Sequence, residues 1–260
     1  MTDWNNKEEV LEAVEKDIRA FKQASEGLQA DKQVVMAAVK RNPDNLQYAS
    51  EELRNDKEIV SEALWAGYSY NLRHASEKLR NDKELILTAV KDHGESLEYA
   101  SEELRNDREV VLTAIKDPIG EGWDGSALEF ASKKLRCDKE VVMTAIENDR
   151  WCHAFEYACK ELRADKEVFL AAINTFWYPC YARRCSLLPY ASKELRSDKD
   201  VVLTAVSKKG SFEFEYASKE LRADREVVLT AIKKNNYNLQ YASENLKNDP
   251  EFMKEVEQYL

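Results

Sequence analysis

One two-part phrase recurs along this 260-residue chain at intervals of 25 to 33 residues. Its first part is an aspartate-led stretch such as residues 107–115, and its second part is a companion such as residues 97–105. A chain built from copies of one short unit stacks those copies, because each copy buries its apolar face only against its neighbours. The full repeats start near residues 6, 31, 56, 82, 107, 138, 165, 198 and 224, and a half repeat starts near residue 249.

Each repeat predicts two short antiparallel helices. Aspartate is a good N-cap, and in the repeat that starts at Asp107 it is followed by apolar residues at helical spacing. In the companion, Leu97, Ala100 and Leu104 follow the spacing i, i+3, i+7 of a second apolar stripe. We therefore predict an all-α fold, an α-solenoid of about nine two-helix hairpin repeats in one domain over residues 1–260, with a C-terminal cap helix at 249–260.

A small residue recurs on the first helix of every repeat after the first. A larger side chain there would overpack the seam between two close helix axes, so we expect all of these positions to be buried. They are Ala38, Ala63, Ala89, Ala114, Ala145, Ala172, Ala205 and Ala231.

Composition narrows the class of protein further. Hydrophobic residues make up 43% of the chain, which excludes disorder, and no run approaches the 18 apolar residues that a membrane span needs. The N-terminus lacks the basic and apolar regions of a secretory signal, and we interpret the chain as complete. Five cysteines suggest no disulfide framework, so we expect a reducing, cytoplasmic location.

Three ladders of residues run through the companion segments. We expect the aromatic ladder to pack between adjacent repeats, with base stacking as the alternative. We expect the arginine ladder to pair with carboxylates and helix dipoles, with phosphate binding as the alternative. The serine ladder predicts a mid-helix hydrogen-bonding or close-packing position. The members are Tyr48, His74, Tyr99, Phe130, Tyr157, Tyr190, Tyr216 and Tyr241; Arg54, Arg80, Arg105, Arg136, Arg163, Arg196 and Arg222; and Ser50, Ser76, Ser101, Ser132, Ser192, Ser218 and Ser243.

Residues 46–58, with the sequence LQYASEELRNDKE, and residues 107–116, with the sequence DREVVLTAIK, resemble the repeats called domain of unknown function 4116. The resemblance covers nearly the whole chain, and the longer phrase is fairly specific because it recurs. It implies a helical repeat protein. It implies no activity and supplies no catalytic residues.

The repeat is interrupted by long loops in three consecutive units, at residues 117–125, 149–153 and 174–185. Irregular loops commonly carry function in solenoids, and exposed aromatics and arginines are typical of protein-binding hot spots. We therefore predict a non-catalytic scaffold for protein–protein interaction. The predicted partner-binding residues are Trp123, Trp151, Trp177, Tyr178, Tyr181, Arg183 and Arg184. The alternative is that the longest insertion folds back and buries its own aromatics.

Two other possibilities are a zinc site in the same loops and an enzymatic activity. Cys180 and Cys185 could join Cys152, His153 or Cys159 in a tetrahedral zinc site, although buried free thiols explain these residues more simply. We predict no cofactor and no metal. No nucleotide-binding, metalloprotease or serine-hydrolase motif is present, and we predict no enzymatic activity.

Nucleic-acid or other polyanion binding is the alternative function. Net charge is −10, but residues 1–107 hold 15 Lys and Arg against 23 Asp and Glu, whereas residues 166–224 hold 10 against 8. The pairs Lys208-Lys209 and Lys233-Lys234 occupy equivalent loops and could form a basic C-terminal edge near Arg183-Arg184. The acidic balance of the whole chain makes nucleic acid the weaker expectation.

Overall fold

The computed structural model describes residues 2–64, 68–116, 126–149, 153–175, 186–209 and 213–260, and within these ranges all regular structure is helical. The fold is the predicted all-α repeat solenoid. In the described part of the chain, ten α-helices of seven residues or more open the successive repeats. In chain order they are α1 Lys7–Lys16, α2 Lys32–Arg41, α3 Lys57–Ala63, α4 Lys83–Asp92, α5 Arg108–Ile115, α6 Lys139–Asn148, α7 Lys166–Asn174, α8 Lys199–Lys209, α9 Arg225–Lys234 and α10 Pro250–Val256.

The predicted aspartate N-caps are confirmed. Asp107 Oδ1 accepts hydrogen bonds from the amides of Glu109 at 2.9 Å and Val110 at 3.2 Å, which satisfies two of the free donors in the first turn of α5. The apolar face that follows is buried, since Val110 and Val111 are fully inaccessible to solvent. All eight recurring alanines are also buried, as predicted.

The companion segment is not the single helix that its apolar spacing predicted. In the fourth companion, a 3₁₀ helix at Gly94–Tyr99 ends at Ala100, and a separate four-residue turn of α-helix follows at Glu102–Arg105. Ala100 and Ser101 between them are extended, with ψ of 155° and 160°. Leu97, Ala100 and Leu104 are nevertheless all buried, so the predicted core is correct although the continuous helix is wrong.

The serine ladder explains the break. Six of the ladder serines accept an amide of the short second turn, as in Ser101, whose Oγ accepts the Leu104 amide at 3.2 Å. The serine hydroxyl accepts an amide of the turn that follows, and this bond competes with helical hydrogen bonding of the backbone. The preceding helix therefore ends before the serine. The predicted mid-helix position is therefore wrong, and the predicted backbone hydrogen bonding is confirmed.

The other segments of the companions are short. The 3₁₀ segments are Ala20–Gln23, Pro43–Tyr48, Leu53–Asn55, Ser69–His74, Leu135–Cys137, Leu162–Ala164, Phe214–Tyr216, Leu221–Ala223, Asn236–Tyr241 and Glu257–Tyr259. The short α-helical segments are Glu26–Gln29, Glu77–Arg80, Ala127–Phe130, His153–Tyr157, Lys193–Arg196 and Glu244–Lys247.

The chain divides into two compact units. Unit 1 comprises residues 1–122 and 130–132, and unit 2 comprises residues 123–129 and 133–260. Each unit is a stack of consecutive repeats. The prediction of one continuous domain stays a prediction. No helix in the described ranges has both the length and the apolarity needed to cross a bilayer.

Successive repeats within a unit are joined by a backbone hydrogen bond. The amide of the ladder serine donates to the carbonyl of the arginine one repeat earlier, as from Ser101 to Arg80 at 2.9 Å in unit 1 and from Ser218 to Arg196 at 2.9 Å in unit 2. The extended backbone at the serine frees this amide from helical pairing. The break in the companion helix therefore provides a direct link between repeats.

Candidate binding surface

All seven predicted partner-binding residues lie outside the described residues. They belong to residues 117–125, 150–152 and 176–185, and the prediction that they form a binding site therefore remains a prediction. The described part of the chain offers a different surface.

That surface follows the short second turns, which run from the ladder serine to the ladder arginine. We call it the turn edge. In unit 1 it comprises residues 50–54, 76–80 and 101–105, and in unit 2 it comprises residues 133–136, 159–163, 192–196 and 218–222. The serine–arginine backbone bonds bring consecutive turns into direct contact, so the turn edge is continuous within each unit.

The ladder arginines lie half-buried along the turn edge without the carboxylate partners that the sequence predicted. Across the ranges that the structure describes, none of the seven forms an ion pair. Six of them also have a buried Nε–H group with no hydrogen-bond acceptor, namely Arg54, Arg80, Arg105, Arg136, Arg163 and Arg222. The prediction of carboxylate pairing is therefore wrong.

The capping aspartates form ion pairs with other residues, which explains why the ladder arginines remain unpaired. In seven of the long helices, the lysine at the first position reaches the capping aspartate of the next repeat, as from Lys83 Nζ to Asp107 Oδ2 at 2.7 Å. The same pairing recurs from Lys7 to Asp31, Lys32 to Asp56, Lys57 to Asp82, Lys139 to Asp165, Lys166 to Asp198 and Lys199 to Asp224.

The aromatic ladder packs beside the arginines. All eight members are half-buried, which agrees with the predicted packing role. Burial and hydrogen bonds from their hydroxyl groups raise the pKa of Tyr157, which donates to Glu129, and of Tyr190, which donates to Glu156. His74 substitutes for an aromatic rung as predicted, and burial lowers its pKa and favours the neutral imidazole.

The charge of the turn edge differs between the two units. The residue after the ladder serine is glutamate in unit 1, at Glu51, Glu77 and Glu102. In unit 2 the equivalent residues are Lys133, Lys160, Lys193 and Lys219, and glutamate returns only at Glu244, in the last turn, which ends in Lys247 and not in a ladder arginine. The unit 2 edge as a whole has nine Lys or Arg against three Glu, whereas the unit 1 edge has four against five.

Two of the three glutamates on the unit 2 edge are hydrogen-bonded at the starts of their own short turns. Hydrogen bonds from its own amide and from the Ser192 hydroxyl lower the pKa of Glu194, and Glu220 is held in the same way with Ser218. Both carboxylates remain exposed, so the outward surface of this edge has glutamates among a majority of lysines.

A cleft lies on this edge in unit 2. Its volume is about 650 Å³, and its charged and aromatic lining consists of Lys160, Glu161, Arg163, Tyr190, Lys193, Glu194 and Arg196. The cleft thus contains two consecutive rungs of the arginine ladder with a tyrosine between them. Sequence reasoning missed this site, although the change from glutamate to lysine after the ladder serine is visible in the aligned repeats.

The basic C-terminal edge that the sequence suggested is only partly described. Lys208 Nζ forms a hydrogen bond with Asn174 Oδ1, and Lys233 Nζ lies 5.4 Å from the centre of the Tyr259 ring. Lys234 is exposed. Arg183 and Arg184, which would extend this edge, lie outside the described residues, as do Cys152, Cys180 and Cys185 of the suggested zinc site.

Comparison with known proteins gives one match. The family model described as "Domain of unknown function (DUF4116)" matches residues 6–53, 31–64, 67–105, 82–119, 123–163, 165–222 and 224–256. No curated protein and no solved structure matches the chain.

Proposed function

The chain belongs to the DUF4116 family, and because the description of that family assigns no activity, we propose a function from the geometry of the repeats. The protein is a non-catalytic scaffold that binds an acidic segment of a partner protein along the turn edge of unit 2. The observation that carries this proposal is the row of half-buried, unpaired arginines beside exposed lysines.

An unpaired guanidinium in a partly dehydrated position favours a carboxylate ligand. Arginine presents its N–H donors in a planar fork that matches a carboxylate, and charge-assisted bonds of this kind are stronger than neutral ones. Arg163 and Arg196 both line the cleft, and Arg163 has a buried Nε–H group that lacks an acceptor. Binding would supply an acceptor for that donor.

The spacing of the repeats suggests how an extended ligand would align with the arginines. Packed helix layers lie roughly 8–10 Å apart. A peptide in the polyproline II conformation advances about 3.1 Å per residue with three residues per turn, so every third side chain lies on one face and would reach successive rungs of the ladder. We therefore expect the preferred ligand to have an acidic residue at every third position.

Two observations favour a protein segment over nucleic acid. Glu161, Glu194 and Glu220 interrupt the basic residues on the edge, so a phosphate backbone with a charge at every nucleotide would meet them, whereas a peptide with spaced acidic residues can place neutral residues opposite them. The hydroxyl of Tyr190 is tied to Glu156 and its ring is half-buried, so it is not a free platform for a base. The predicted loop residues, including Trp177 and Arg184, would add a second contact region.

Fluorescence anisotropy with two labelled peptides tests this proposal. The peptides have the same composition, one with glutamate at every third position and the other with its glutamates in one block. The variant Lys160→Glu/Lys193→Glu places on the unit 2 edge the residue type that unit 1 has at these positions, so it is expected to fold. We expect about tenfold weaker binding of the spaced peptide to this variant.

The matched control is Lys40→Glu/Lys91→Glu, which changes the net charge equally on exposed residues of unit 1 away from the turn edge. It should bind like the unchanged protein. Equal loss in both variants would show that only net charge matters. Binding of single-stranded RNA with no binding of either peptide would overturn the proposal in favour of the polyanion alternative.

A further inference from the structure

Two free cysteines occupy positions that contact each other across consecutive repeats of unit 2. In unit 1 the equivalent positions hold an asparagine and the next ladder serine, and their side chains are hydrogen-bonded, as in Ser76 to Asn55 at 2.7 Å. Ser132 pairs with Asn106 in the same way at 2.7 Å. Cys137 replaces the asparagine and Cys159 replaces the serine, so both members of one contacting pair have become thiols.

A carboxylate completes this cluster. The sulfur atoms of Cys137 and Cys159 and a carboxylate oxygen of Glu161 all lie within 4.8 Å of one another. Burial and a hydrogen bond with Cys137 raise the pKa of Cys159 to about 11. The Cys159 thiol also forms a hydrogen bond with Glu161, and this bond is the largest cause of the lowered pKa of that carboxyl. The Cys159 thiol is therefore hydrogen-bonded to both of the other potential ligand groups.

We propose that Cys137, Cys159 and Glu161 form a binding site for a thiophilic divalent cation of the zinc class, which links two consecutive repeats of unit 2. Two thiolates and a carboxylate are donors that zinc accepts in tetrahedral sites. With zinc–sulfur distances near 2.3 Å, two sulfur ligands lie roughly 3.8 Å apart, so the pair needs to close by about 1 Å at most. Cys137 is exposed, which leaves the fourth position to water.

The charge balance of the site is favourable. When the cation binds, it displaces at least the thiol proton of Cys159. Each displaced proton passes to the solvent. Two thiolates and one carboxylate around a divalent ion carry a net charge of about −1. Lys133 and Lys160 act electrostatically on Glu161 and offset that charge.

A third donor distinguishes this cluster from a simple dithiol pair, because the Glu161 carboxylate offers a ligand atom within 4.8 Å of both sulfur atoms. A cation at the site takes the place of a thiol proton. Affinity should therefore rise with pH.

Cobalt(II) titration of the full chain under a non-thiol reductant tests the proposal. Thiolate coordination gives sulfur-to-cobalt charge-transfer absorption in the near ultraviolet, which zinc then abolishes by displacement. The variant Cys137→Asn/Cys159→Ser restores the residue pair of the unit 1 repeats, so it should fold and lose the signal. Glu161→Gln should weaken zinc binding by about tenfold or more. Titration calorimetry in buffers of different ionisation enthalpy should detect the released proton.

The other cysteines require a separate variant. Cys152→Ser/Cys180→Ser/Cys185→Ser leaves the pair intact and should keep the cobalt signal. Loss of the signal in this variant, or its survival in Cys137→Asn/Cys159→Ser, would assign the metal to the other cysteines and overturn the proposal. Absence of any charge-transfer band in the reduced protein would overturn it as well.

Discussion

Lys139 Nζ lies 2.7 Å from Oδ2 of Asp165, which is the N-cap of the next long helix in unit 2. The other oxygen of that carboxylate accepts the amides of Glu167 at 2.8 Å and Val168 at 3.3 Å. One aspartate thus begins α7 and binds the repeat before it. The ladder of capping aspartates therefore couples local helix formation to the stacking of repeats.

Substitutions of Asp165 separate these two roles. Asp165→Ala removes the cap and the ion pair, and we expect a loss of about 1–2 kcal/mol in the free energy of unfolding. Asp165→Asn keeps a side-chain oxygen for the two amides and removes the charge, so its loss should be clearly smaller. Urea denaturation followed by circular dichroism measures both. Equal losses would show that the ion pair with Lys139, and not the cap, provides the stabilisation.

The same carboxylates predict an acid-induced loss of stability. A hydrogen bond from lysine is the largest cause of the lowered pKa of Asp31, Asp56 and Asp165 relative to the usual 3.8. A lowered folded-state pKa gives stability that is complete above the unfolded value and is lost as pH falls through the folded value. We expect the urea midpoint to decline below about pH 4. The urea midpoint of Asp165→Asn should decline less steeply as pH falls. An identical decline in this variant would show that Asp165 does not contribute to the acid-induced loss of stability.

The sequence was sufficient to predict the repeat unit, its N-caps and its core. Asp107 and the apolar residues after it act within a few residues of each other, and such local patterns are readable without a structure. The companion helix was misread because Leu97, Ala100 and Leu104 are buried at helical spacing although the chain between them is extended. The amide of Ser101 bonds to the preceding repeat, and a contact across repeats leaves no periodic signal in one segment.

The arginine ladder shows a similar limit for the candidate site. Arg105 lies two residues before Asp107 in the chain, which suggested pairing, but Lys83 from the preceding repeat binds that aspartate. The basic residue nearest in sequence is therefore not the one that pairs with the aspartate. The change from Glu102 to Lys133 after the ladder serine was readable, but its meaning depended on knowing that these residues share one edge.

The serine-to-arginine backbone bond can be tested with proline. Ser101 has φ of −60° and Ala100 has ψ of 155°, so Ser101→Pro fits the backbone and removes the amide that donates to Arg80. We expect a loss of about 1–3 kcal/mol in the free energy of unfolding, because the carbonyl loses its donor.

The control for this variant is Ser101→Ala, which loses the Oγ cap and the contact with Asn81 but keeps the amide. Ser101→Pro should be less stable than Ser101→Ala in urea denaturation. If the two variants unfold at the same urea concentration, the backbone bond between repeats contributes nothing measurable.

An aromatic pair in the core of unit 2 provides a packing test. Phe155 and Phe169 are both fully buried, with ring centres 5.4 Å apart in an edge-to-face arrangement. Phe155→Ala should cost about 3–5 kcal/mol, since it leaves a cavity between repeats. Phe155→Leu, which fills more of that space, should cost considerably less. Thermal unfolding of both variants measures the difference, and similar losses would mean that the surrounding repeats collapse into the cavity.

The last prediction concerns a hydrogen bond between the second and third companions, in unit 1. Tyr70 donates from its hydroxyl to Asp44 Oδ1 at 2.7 Å, and Arg73 lies 5.2 Å from the centre of the tyrosine ring. Burial, followed by the bond to Asp44, raises the pKa of Tyr70 from 10.0 to about 12. A raised folded-state pKa gives stability that is complete below the unfolded value and is lost as pH rises through the folded value.

Alkaline titration of tyrosinate absorbance measures this effect. The difference between the unchanged protein and Tyr70→Phe should show one tyrosine that ionises near pH 12. Asp44→Asn removes the negative charge that opposes tyrosinate, so the Tyr70 transition should move to lower pH, although burial keeps it above the ordinary value. A difference curve centred on pH 10.0 would contradict the hydrogen bond. An unchanged transition in Asp44→Asn would assign the whole shift to burial, and would leave Asp44 without a role in joining these repeats.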